Sequence, residues 1–363
     1  MTLKLGIIGA GNIFPAYMRN LIKAQKSRTL QVVGVADADP TAAQRRADEF
    51  VHAGLRTHTL DELFQSNADV ILNLTPPLAH HAMGLRALNA GKHFFTEKPL
   101  AATLAQGQEL VALAKARGLR LGCAPDTLLG AGAQTVRAAL DAGAIGAVRH
   151  GTAFFMNHGP DHWHPNPGFF YQPGAGPLFD VGVYHLSHLV YHFGPVASVR
   201  AVAHTTHRER TVPLGERQGQ KIPVAVPTHI VCHLDFVNGT QFVLTSSFDV
   251  WRHAHQPFEF YGDDGTLIGP DPNQFGGVVK VCRQQGDWRK LKDKRPYHSN
   301  ARGLGVVDMI RAIAENRPHR CSAEMALHVL EAMEASLASA EKGAAVTLQT
   351  TCERPAPLRE RLF

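Results

Sequence analysis

Strand-like and helix-like segments alternate through the first third of the chain, and this alternation constrains the fold more than any other feature. Apolar runs typical of buried strands cover Leu3 to Ile8 and Leu30 to Ala36, with a helical stretch from Pro15 through Ile22 between them. Further strands are predicted at Asp69 to Leu74 and at His93 to Thr96. Because parallel strands need a crossover segment of this kind, the pattern predicts an α/β domain with a doubly wound parallel sheet of the Rossmann type.

The rest of the chain has a different rhythm. Hydrophobic and polar residues alternate from Thr228 to Phe236, and Asn238-Gly239 separates this segment from the apolar run Gln241 to Leu244. An Asn-Gly pair between two strands is typical of a tight hairpin. We therefore predict a second, α+β domain with a large, mostly antiparallel open sheet, and we place the two domains at 1–123 and 124–363.

Composition excludes several classes of protein. The 363 residues are 44% apolar and 19% charged, which suits two globular domains and argues against disorder or membrane spanning. The chain starts without the features of a secretory signal, so a cytoplasmic location is expected. Its five cysteines are scattered, and we expect reduced thiols. The net charge of +6 and a basic run at 289–295 could suit nucleic acid, but no nucleic-acid-binding signature accompanies them.

A glycine-rich turn follows the first predicted strand. Gly9 and Gly11 would let the backbone of the turn, including Asn12 and Ile13, approach a pyrophosphate at the N-terminus of the next helix. Phe14 stands where the usual fingerprint has a third glycine, so the spacing alone also fits an ordinary strand-to-helix turn. The position of the turn within a βαβ unit favours the nucleotide site.

Asp37 ends the second predicted strand. A carboxylate there can accept hydrogen bonds from the adenosine ribose hydroxyls and would repel a 2′-phosphate, which favours NAD over NADP. Arg45 and Arg46 lie on the following helix and could serve a phosphate, so NADP stays an alternative.

Two more segments follow strands at the carboxyl edge of the predicted sheet, where such sheets bind ligands. Thr75 and Pro76, with His80, follow one strand, and Glu97 and Lys98 follow another. The ammonium of Lys98 could donate a hydrogen bond to a substrate hydroxyl and lower the cost of its deprotonation. A lysine at a strand end could also be ordinary surface.

The second domain offers an acid/base candidate. A glycine-rich stretch at 174–176 leads into a predicted helix on which Asp180, Tyr184 and His188 share one face, while His185 is turned about 100° away. Geometry therefore favours Tyr184 as the acid/base. A free phenol has a pKa of about 10, so a nearby cation would be needed. A helix whose Tyr and His residues only fill a core is the alternative.

Together these motifs resemble the glucose-fructose oxidoreductase, inositol dehydrogenase and rhizopine-catabolism (Gfo/Idh/MocA) family. The resemblance rests on Glu97-Lys98-Pro99, on a Thr-Pro-Pro-x-x-His segment ending at His80, and on the glycine-rich stretch before Asp180. Tyr184 stands where many members carry histidine. Some members, including glucose-fructose oxidoreductases and dihydrodiol dehydrogenases, carry tyrosine there.

The resemblance implies an NAD(P)-dependent dehydrogenase that moves a hydride between a nicotinamide and a secondary alcohol of a sugar, cyclitol or glycoside. It implies a homodimer or homotetramer and catalytic roles for Lys98, Asp180 and Tyr184. The implied cofactor-binding residues are Gly9, Gly11, Asn12, Ile13, Asp37, Thr75, Pro76, His80, Glu97 and Lys98. A cofactor-recycling glycosidase or epimerase, or a dinucleotide-sensing regulator without turnover, would carry similar motifs.

Polar and aromatic residues are dense between Asn157 and Asn166, which suits a multi-hydroxyl ring with Trp163 as a stacking plate. The predicted substrate-binding residues are Asp126, Asn157, His162, Trp163, His164 and His185. A metal site in this segment is the alternative, but the spacing of its ligand types matches no motif, and no metal is predicted. We predict a loop from His207 to Lys221.

Overall fold

The computed structural model describes residues 2–164 and 166–363. The chain forms two compact units, each drawn from separated parts of the sequence. The first unit takes in Met1–Gly130, Pro296–Leu330 and Pro355–Phe363, and the second takes in Ala131–Arg295 and Glu331–Arg354. The cofactor role expected for 1–123 and the substrate and association role expected for 124–363 stay predictions.

Parallel strands joined by helices form the sheet of the first unit. Its elements in chain order are β1 (Leu3–Ile8), α1 (Phe14–Lys26), β2 (Leu30–Ala36), α2 (Pro40–Glu49), α3 (Leu60–Gln65), β3 (Val70–Asn73), α4 (His80–Asn89), β4 (His93–Thr96), α5 (Leu104–Ala116) and β5 (Leu121–Cys123). The strand order is β2-β1-β3-β4-β5, and neighbouring strands are parallel. This confirms the predicted doubly wound sheet.

Local signals account for several of these boundaries. Asp39 caps α2 by accepting a hydrogen bond from the N–H of Thr41, with Pro40 as the first helical residue. Thr103 caps α5 in the same way, accepting from the N–H of Gln106 at 3.3 Å. The spacing of Thr103 and Gln106 is that of a capping box, but only half of the box is formed, because Gln106 Oε1 has no hydrogen-bond partner among the described residues.

The second unit is built on a nine-stranded sheet. Its elements up to the last helices are α6 (Ala131–Asp141), β6 (Val148–Met156), α7 (Val183–Phe193), β7 (Val196–His204), β8 (Glu209–Thr211), β9 (Lys221–Pro223), β10 (His229–Phe236), β11 (Gln241–Ser247), β12 (Phe258–Gly262), β13 (Gly265–Gly269), β14 (Lys280–Arg283) and β15 (Arg289–Lys290). The chain continues with α8 (Leu304–Ala314) in the first unit, α9 (Ala323–Lys342), which passes from the first unit into the second, and β16 (Val346–Thr347).

The strand order of the large sheet is β15-β14-β13-β12-β6-β11-β10-β7-β16. Strands β6 and β11 are parallel and the other described neighbours are antiparallel, which confirms the predicted mostly antiparallel sheet. The hairpin predicted at Asn238-Gly239 joins β10 to β11, where the N–H of Phe236 donates to Thr240 O at 2.9 Å and Gly239 has a φ of +85°. Strand β10 buries alternate residues, so one face of the sheet meets the core.

The prediction of a loop from His207 to Lys221 is wrong in part. This segment contains β8, and Lys221 begins β9, which pairs with β8 in a separate two-stranded sheet. Val212 and Ile222 are buried there in a small cluster with Tyr171 and Phe248. Strands of three residues are too short to show an alternating pattern, so the sequence reads as a loop.

None of the helices in the described ranges combines the length and apolarity that a membrane crossing requires.

Helix α7 buries a row of histidines, and this row predicts how stability depends on pH. Burial lowers the pKa of His185 to about 4 and that of His188 to about 3. Both rings pack against Phe258 of β12. Since these groups stay neutral in the folded state and take up protons in the unfolded state below about pH 6.5, stability falls as the pH is lowered.

We expect each of these histidines to cost about 1.4 kcal/mol of unfolding free energy per pH unit between about pH 6 and pH 4. The denaturant midpoint should therefore fall over this range, and His188→Leu should fall less steeply than wild type. The exposed residue His162 supplies the control, His162→Gln, whose pH dependence should match wild type. Asp126 is common to all three proteins, so the opposite contribution of its raised pKa cancels in the comparison. Equal slopes for His188→Leu and wild type would contradict the prediction.

Candidate functional site

The glycine turn after β1 meets the requirements of a dinucleotide pyrophosphate. Gly9 has a φ of +98°, and a Cβ there would lie 2.7 Å from the carbonyl carbon of Leu74, so a side chain is excluded. Gly11 is exposed, with nothing within 4 Å of the place a Cβ would occupy. Helix α1 begins at Phe14 without a side-chain cap and without an acidic residue in its first turn. The N–H groups of Phe14 and Ala16 donate to Gly11 O at 3.3 Å and to Ile13 O at 3.1 Å, and Pro15 has none, so an anion would have to be met by the backbone of the turn before the helix.

Two side chains brace this turn. Asp37 follows β2 and accepts hydrogen bonds from the N–H of Ala10 at 2.7 Å and of Asp39 at 2.9 Å. Arg46 donates to the carbonyl of Ala10 at 3.1 Å and to that of Gly11 at 2.9 Å. Asp37 thus lies beside the glycine turn, as a ribose ligand should. Arg46, expected only as a possible phosphate ligand, supports the backbone of the turn.

The ends of β3 and β4 are joined by side chains. Asn73 donates to Thr96 Oγ1 at 2.9 Å, and Thr75 donates to Asn73 Oδ1 at 2.9 Å. The N–H of Glu97 donates to Asn73 O at 2.9 Å, which extends the ladder past the last paired residues. Thr75 is half-buried and Pro76 is exposed, so both face the carboxyl edge of the sheet.

Lys98 follows β4 at this edge and is half-buried. Its N–H donates to Glu97 Oε2 at 3.0 Å. The other carboxylate oxygen, Glu97 Oε1, accepts a 2.5 Å hydrogen bond from the phenol of Tyr17 on α1. Burial, followed by the charge of Glu97, raises the pKa of Tyr17 well above its ordinary value, so this phenol remains a donor.

His80, predicted to bind the cofactor, is fully buried. Its Nδ1 lies 2.7 Å from Pro99 O and its Nε2 lies 2.9 Å from Thr75 O. Burial lowers the pKa of His80, while the two carbonyl oxygens and Glu97 favour the charged ring. Its placement suits support of the edge, and the predicted cofactor contact stays a prediction.

Asp126, predicted to bind substrate, is 2% exposed. Its Oδ2 accepts from the N–H of Gly303 at 2.7 Å and of Gly305 at 3.1 Å, so the carboxylate caps α8. Burial raises the pKa of Asp126 to about 6. The substrate contact stays a prediction.

The acid/base candidates of the second unit lie at a helix junction that differs from expectation. Asp180 belongs to a π-helical turn, Leu178–Gly182, and the regular helix α7 begins one residue later with Tyr184 in its first turn. Asp180 is half-buried and Tyr184 is buried. Turns of this kind are rare in proteins overall, but those that occur often lie at functional sites. His185 is 2% exposed between Phe155 and Phe258, which is a core position, and its substrate contact stays a prediction.

The aromatic segment after β6 keeps several candidates at the surface. His162 is exposed, Trp163 is 55% exposed, and His164 is half-buried with its ring edge-on to Trp163 at 5.3 Å between centroids. Asn157 is turned into the backbone, where its Oδ1 accepts from the N–H of Gly159 at 2.8 Å. The exposed indole of Trp163 is therefore the best placed of these groups for stacking on a ring.

Sequence reasoning missed the residues that hold this segment. Arg210 on β8 is buried, forms an ion pair with Asp249 and donates to Phe248 O at 2.9 Å and to His158 O at 3.3 Å. Tyr171 donates to Asp161, whose carboxylate lies 3.9 Å from Arg210. No local pattern could reveal this network, because Arg210 and Asp249 are 39 residues apart.

Trp251 is a further candidate for stacking on a ring, and sequence reasoning missed it. Its ring is 77% exposed and lies parallel to the imidazole of His158, with 3.4 Å between centroids.

Across residues 2–164 and 166–363, no group of three His, Cys, Asp or Glu side chains is arranged to hold a metal ion.

Comparison with known proteins adds to this geometry. The model of the oxidoreductase family with an NAD-binding Rossmann fold matches residues 3–124, and that of the GFO/IDH/MocA C-terminal domain matches residues 133–268. The dTDP-3,4-didehydro-2,6-dideoxy-alpha-D-glucose 3-reductase of Streptomyces antibioticus is 30% identical, over 87% of this chain and 98% of the relative. The D-glucoside 3-dehydrogenase of Escherichia coli (strain K12) is 24% identical, over 84% of this chain and 89% of the relative.

Solved structures share the fold over almost the whole chain. An NAD-binding oxidoreductase from Klebsiella pneumoniae has a TM-score of 0.83 at 22% identity and covers 96% of this chain and 100% of its own. A levoglucosan dehydrogenase in complex with NADH has a TM-score of 0.80 at 20% identity and covers 96% of this chain and 100% of its own.

The two glycines of the turn should respond differently to a methyl group. We expect Gly9→Ala to destabilise the protein by at least about 2 kcal/mol, because the positive φ and the backbone of Leu74 both oppose a Cβ. Gly11→Ala should leave the melting temperature close to that of wild type, because the space above Gly11 is open. It should nevertheless weaken NADH binding at least about tenfold, since a pyrophosphate needs the close approach of that backbone.

Both quantities can be measured on the same preparations, by thermal unfolding and by fluorescence titration with NADH. An unchanged NADH affinity in Gly11→Ala would show that the cofactor does not approach this turn.

Proposed function

This chain belongs to the GFO/IDH/MocA family of NAD-binding oxidoreductases, and from that membership we propose that it transfers a hydride between NAD and the C3 hydroxyl of a pyranose ring, carried as a glycoside or related sugar. The observation that carries the proposal is the row of residues after the parallel strands, where the glycine turn, Asp37 and Lys98 follow neighbouring strand ends. The choice of C3 is supported by two relatives whose names place their chemistry at carbon 3, one a reductase and one a dehydrogenase.

NAD, when bound, supplies the hydride acceptor for oxidation and NADH the donor for reduction. The protein's part is to bind, orient and move a proton. Tyr184, as its phenolate, takes the proton of the substrate hydroxyl and becomes the neutral phenol, and the Lys98 ammonium donates a hydrogen bond that stabilises the developing alkoxide. Asp180 orients the sugar. Trp163 offers the apolar face on which the ring rests, with His162 and His164 beside it.

Self-association is part of the same proposal. The large sheet presents a second face, on which Val202 is 67% exposed and His229, Val231 and His233 are half-buried. A sheet face of this kind suits a homodimer or homotetramer. The cytoplasmic location expected from the sequence stays a prediction.

The decisive experiment follows the hydrogen at C3. Purified protein with NAD and methyl glucopyranoside carrying deuterium at C3 should produce deuterated NADH, detected by mass spectrometry, and the 3-deoxy analogue should produce none. Turnover with the deuterium retained at C3 would overturn the assignment of the carbon. Substrate conversion without net NADH would instead favour a reaction that recycles the cofactor in place.

In this assay, Lys98→Met and Tyr184→Phe should each lower kcat at least about a hundredfold, the scale of one acid/base contribution, with the fold intact. The matched control is Lys92→Met, because Lys92 is a half-buried lysine of the same unit that donates to Ser66 O at 2.8 Å. It should keep wild-type kcat. A loss below tenfold in both test variants would refute the roles assigned here.

Asp37 should set the preference for NAD over NADP. Asp37→Asn keeps an acceptor for the N–H of Ala10 but removes the charge that would repel a 2′-phosphate. The ratio of the NADP to the NAD dissociation constant should therefore fall at least about tenfold, measured by calorimetric titration of both cofactors. A ratio equal to that of wild type would show that Asp37 does not face the 2′-position.

A further inference from the structure

The backbone around Lys98 is held by side chains on both sides. On the N-terminal side, Glu97 Oε2 accepts a hydrogen bond from the N–H of Lys98 at 3.0 Å. On the C-terminal side, the carbonyl oxygen of Pro99 lies 2.7 Å from Nδ1 of His80. We infer that Tyr17 and His80 are positioning residues for Lys98, which hold its backbone through Glu97 and through Pro99. This inference rests on the catalytic role proposed for Lys98.

Tyr17 acts on Lys98 through Glu97. Its ring is fully buried on α1, and its hydroxyl donates to Glu97 Oε1 at 2.5 Å. With one oxygen held by the phenol, the carboxylate keeps its other oxygen on the N–H of Lys98. Without the phenol, a half-buried acceptor loses its donor and Glu97 gains freedom to rotate. The hold of Glu97 on the backbone N–H of Lys98 would then loosen.

Helix α1, which carries the phenol of Tyr17, is itself held in place by hydrogen bonds to the segment before α8. Asn20, almost one turn after Tyr17, donates to Asn300 O at 3.2 Å and to Arg302 O at 3.1 Å. The same loop continues into Gly303, whose N–H donates to the buried Asp126. These bonds fix α1 to the start of α8, so Tyr17 cannot follow Glu97 if the edge of the sheet moves.

His80 acts on Lys98 through Pro99. Its ring is fully buried, and its second nitrogen lies 2.9 Å from Thr75 O. A neutral imidazole can donate to only one of two carbonyl oxygens, while the charged ring donates to both. In either state the ring fills the space between the segment after β3 and the segment after β4. It therefore sets the distance of Lys98 from the Thr75 segment.

Both side chains are fully buried, so we expect their effect on the reaction to come from placement. A displacement of about 1 Å at a reacting group can cost up to about a hundredfold in rate. We expect Tyr17→Phe to lower kcat about tenfold, with changes below about twofold in KM for methyl glucopyranoside and in the dissociation constant of NADH.

The matched control is Tyr261→Phe. Tyr261 also donates to a carboxylate at 2.5 Å, that of Glu259, but it lies on β12 in the second unit. It should keep wild-type kcat. A Tyr17→Phe enzyme that loses no more kcat than Tyr261→Phe, or one whose loss appears only in NADH binding, would overturn the inference.

A double-mutant cycle tests whether Tyr17 acts through Glu97. If it does, Tyr17→Phe combined with Glu97→Gln should lose no more kcat than Glu97→Gln alone, because the second change removes the group through which the first one works. Losses that multiply would show that Tyr17 acts independently of Glu97, and the inference would fail.

The two amide replacements of His80 separate its two contacts. The amide of asparagine reaches about as far as Nδ1, and that of glutamine about as far as Nε2. His80→Asn can therefore keep the bond to Pro99, and His80→Gln the bond to Thr75. We expect His80→Asn to stay within about threefold of wild-type kcat and His80→Gln to lose about tenfold. The reverse order would overturn the role of the Pro99 contact.

Lys98→Met distinguishes the two levels of failure. If Lys98→Met keeps the wild-type rate, the role proposed for Lys98 fails and this inference fails with it. If Lys98→Met is inactive while Tyr17→Phe behaves like Tyr261→Phe, only this inference fails.

Discussion

The ends of the five parallel strands lie in one row, and the cofactor-related part of the molecule depends on that row. Ile8 is in register with Ala36 and Asn73, Asn73 with Thr96, and Thr96 with Cys123. The hydrogen bonding continues one step further after four of the strands, since the N–H groups of Gly9, Leu74, Glu97 and Ala124 each donate to a neighbouring strand end at 2.7 to 2.9 Å. Each loop therefore leaves the sheet from a fixed point. This precision lets residues far apart in the chain act at one edge.

The two units stabilise their loops by different means. At the edge of the parallel sheet, short neutral bonds among Asn73, Thr75 and Thr96 suffice, because the strands beneath are already rigid. The aromatic segment of the second unit leaves the end of β6, and beyond that strand end the buried Arg210 with Asp249 holds it. A buried ion pair adds little net stability, but removal of one partner leaves an unpaired buried charge. Substitution at Arg210 would thus disturb the whole segment that carries Trp163.

Features that depend on neighbouring residues could be predicted from the sequence. The cap at Asp39, the hairpin at Asn238-Gly239 and the strand pattern of β10 all follow from local chemistry. Contacts across long separations could not be predicted in this way. Tyr17 and Glu97 are 80 residues apart, and Asp126 and Gly303 are 177 apart. The π-helical turn at Asp180 also escaped prediction, because a single turn of five residues is too short to show a period of its own in the sequence.

Burial separates the candidate residues into two groups that polarity alone cannot distinguish. His80, Asp126 and His185 carry the functional groups of ligand-binding residues, yet all three are at most 2% exposed. A buried polar group is costly unless it is bonded, so such groups persist where they hold the backbone in place. Among the other candidates, Gly11, His162 and Trp163 are exposed and Lys98 is half-buried. The fixed edge of the parallel sheet would then govern the hydride chemistry. Because the aromatic segment is held by separate contacts, substitutions within it would change which substrate binds without disturbing that edge.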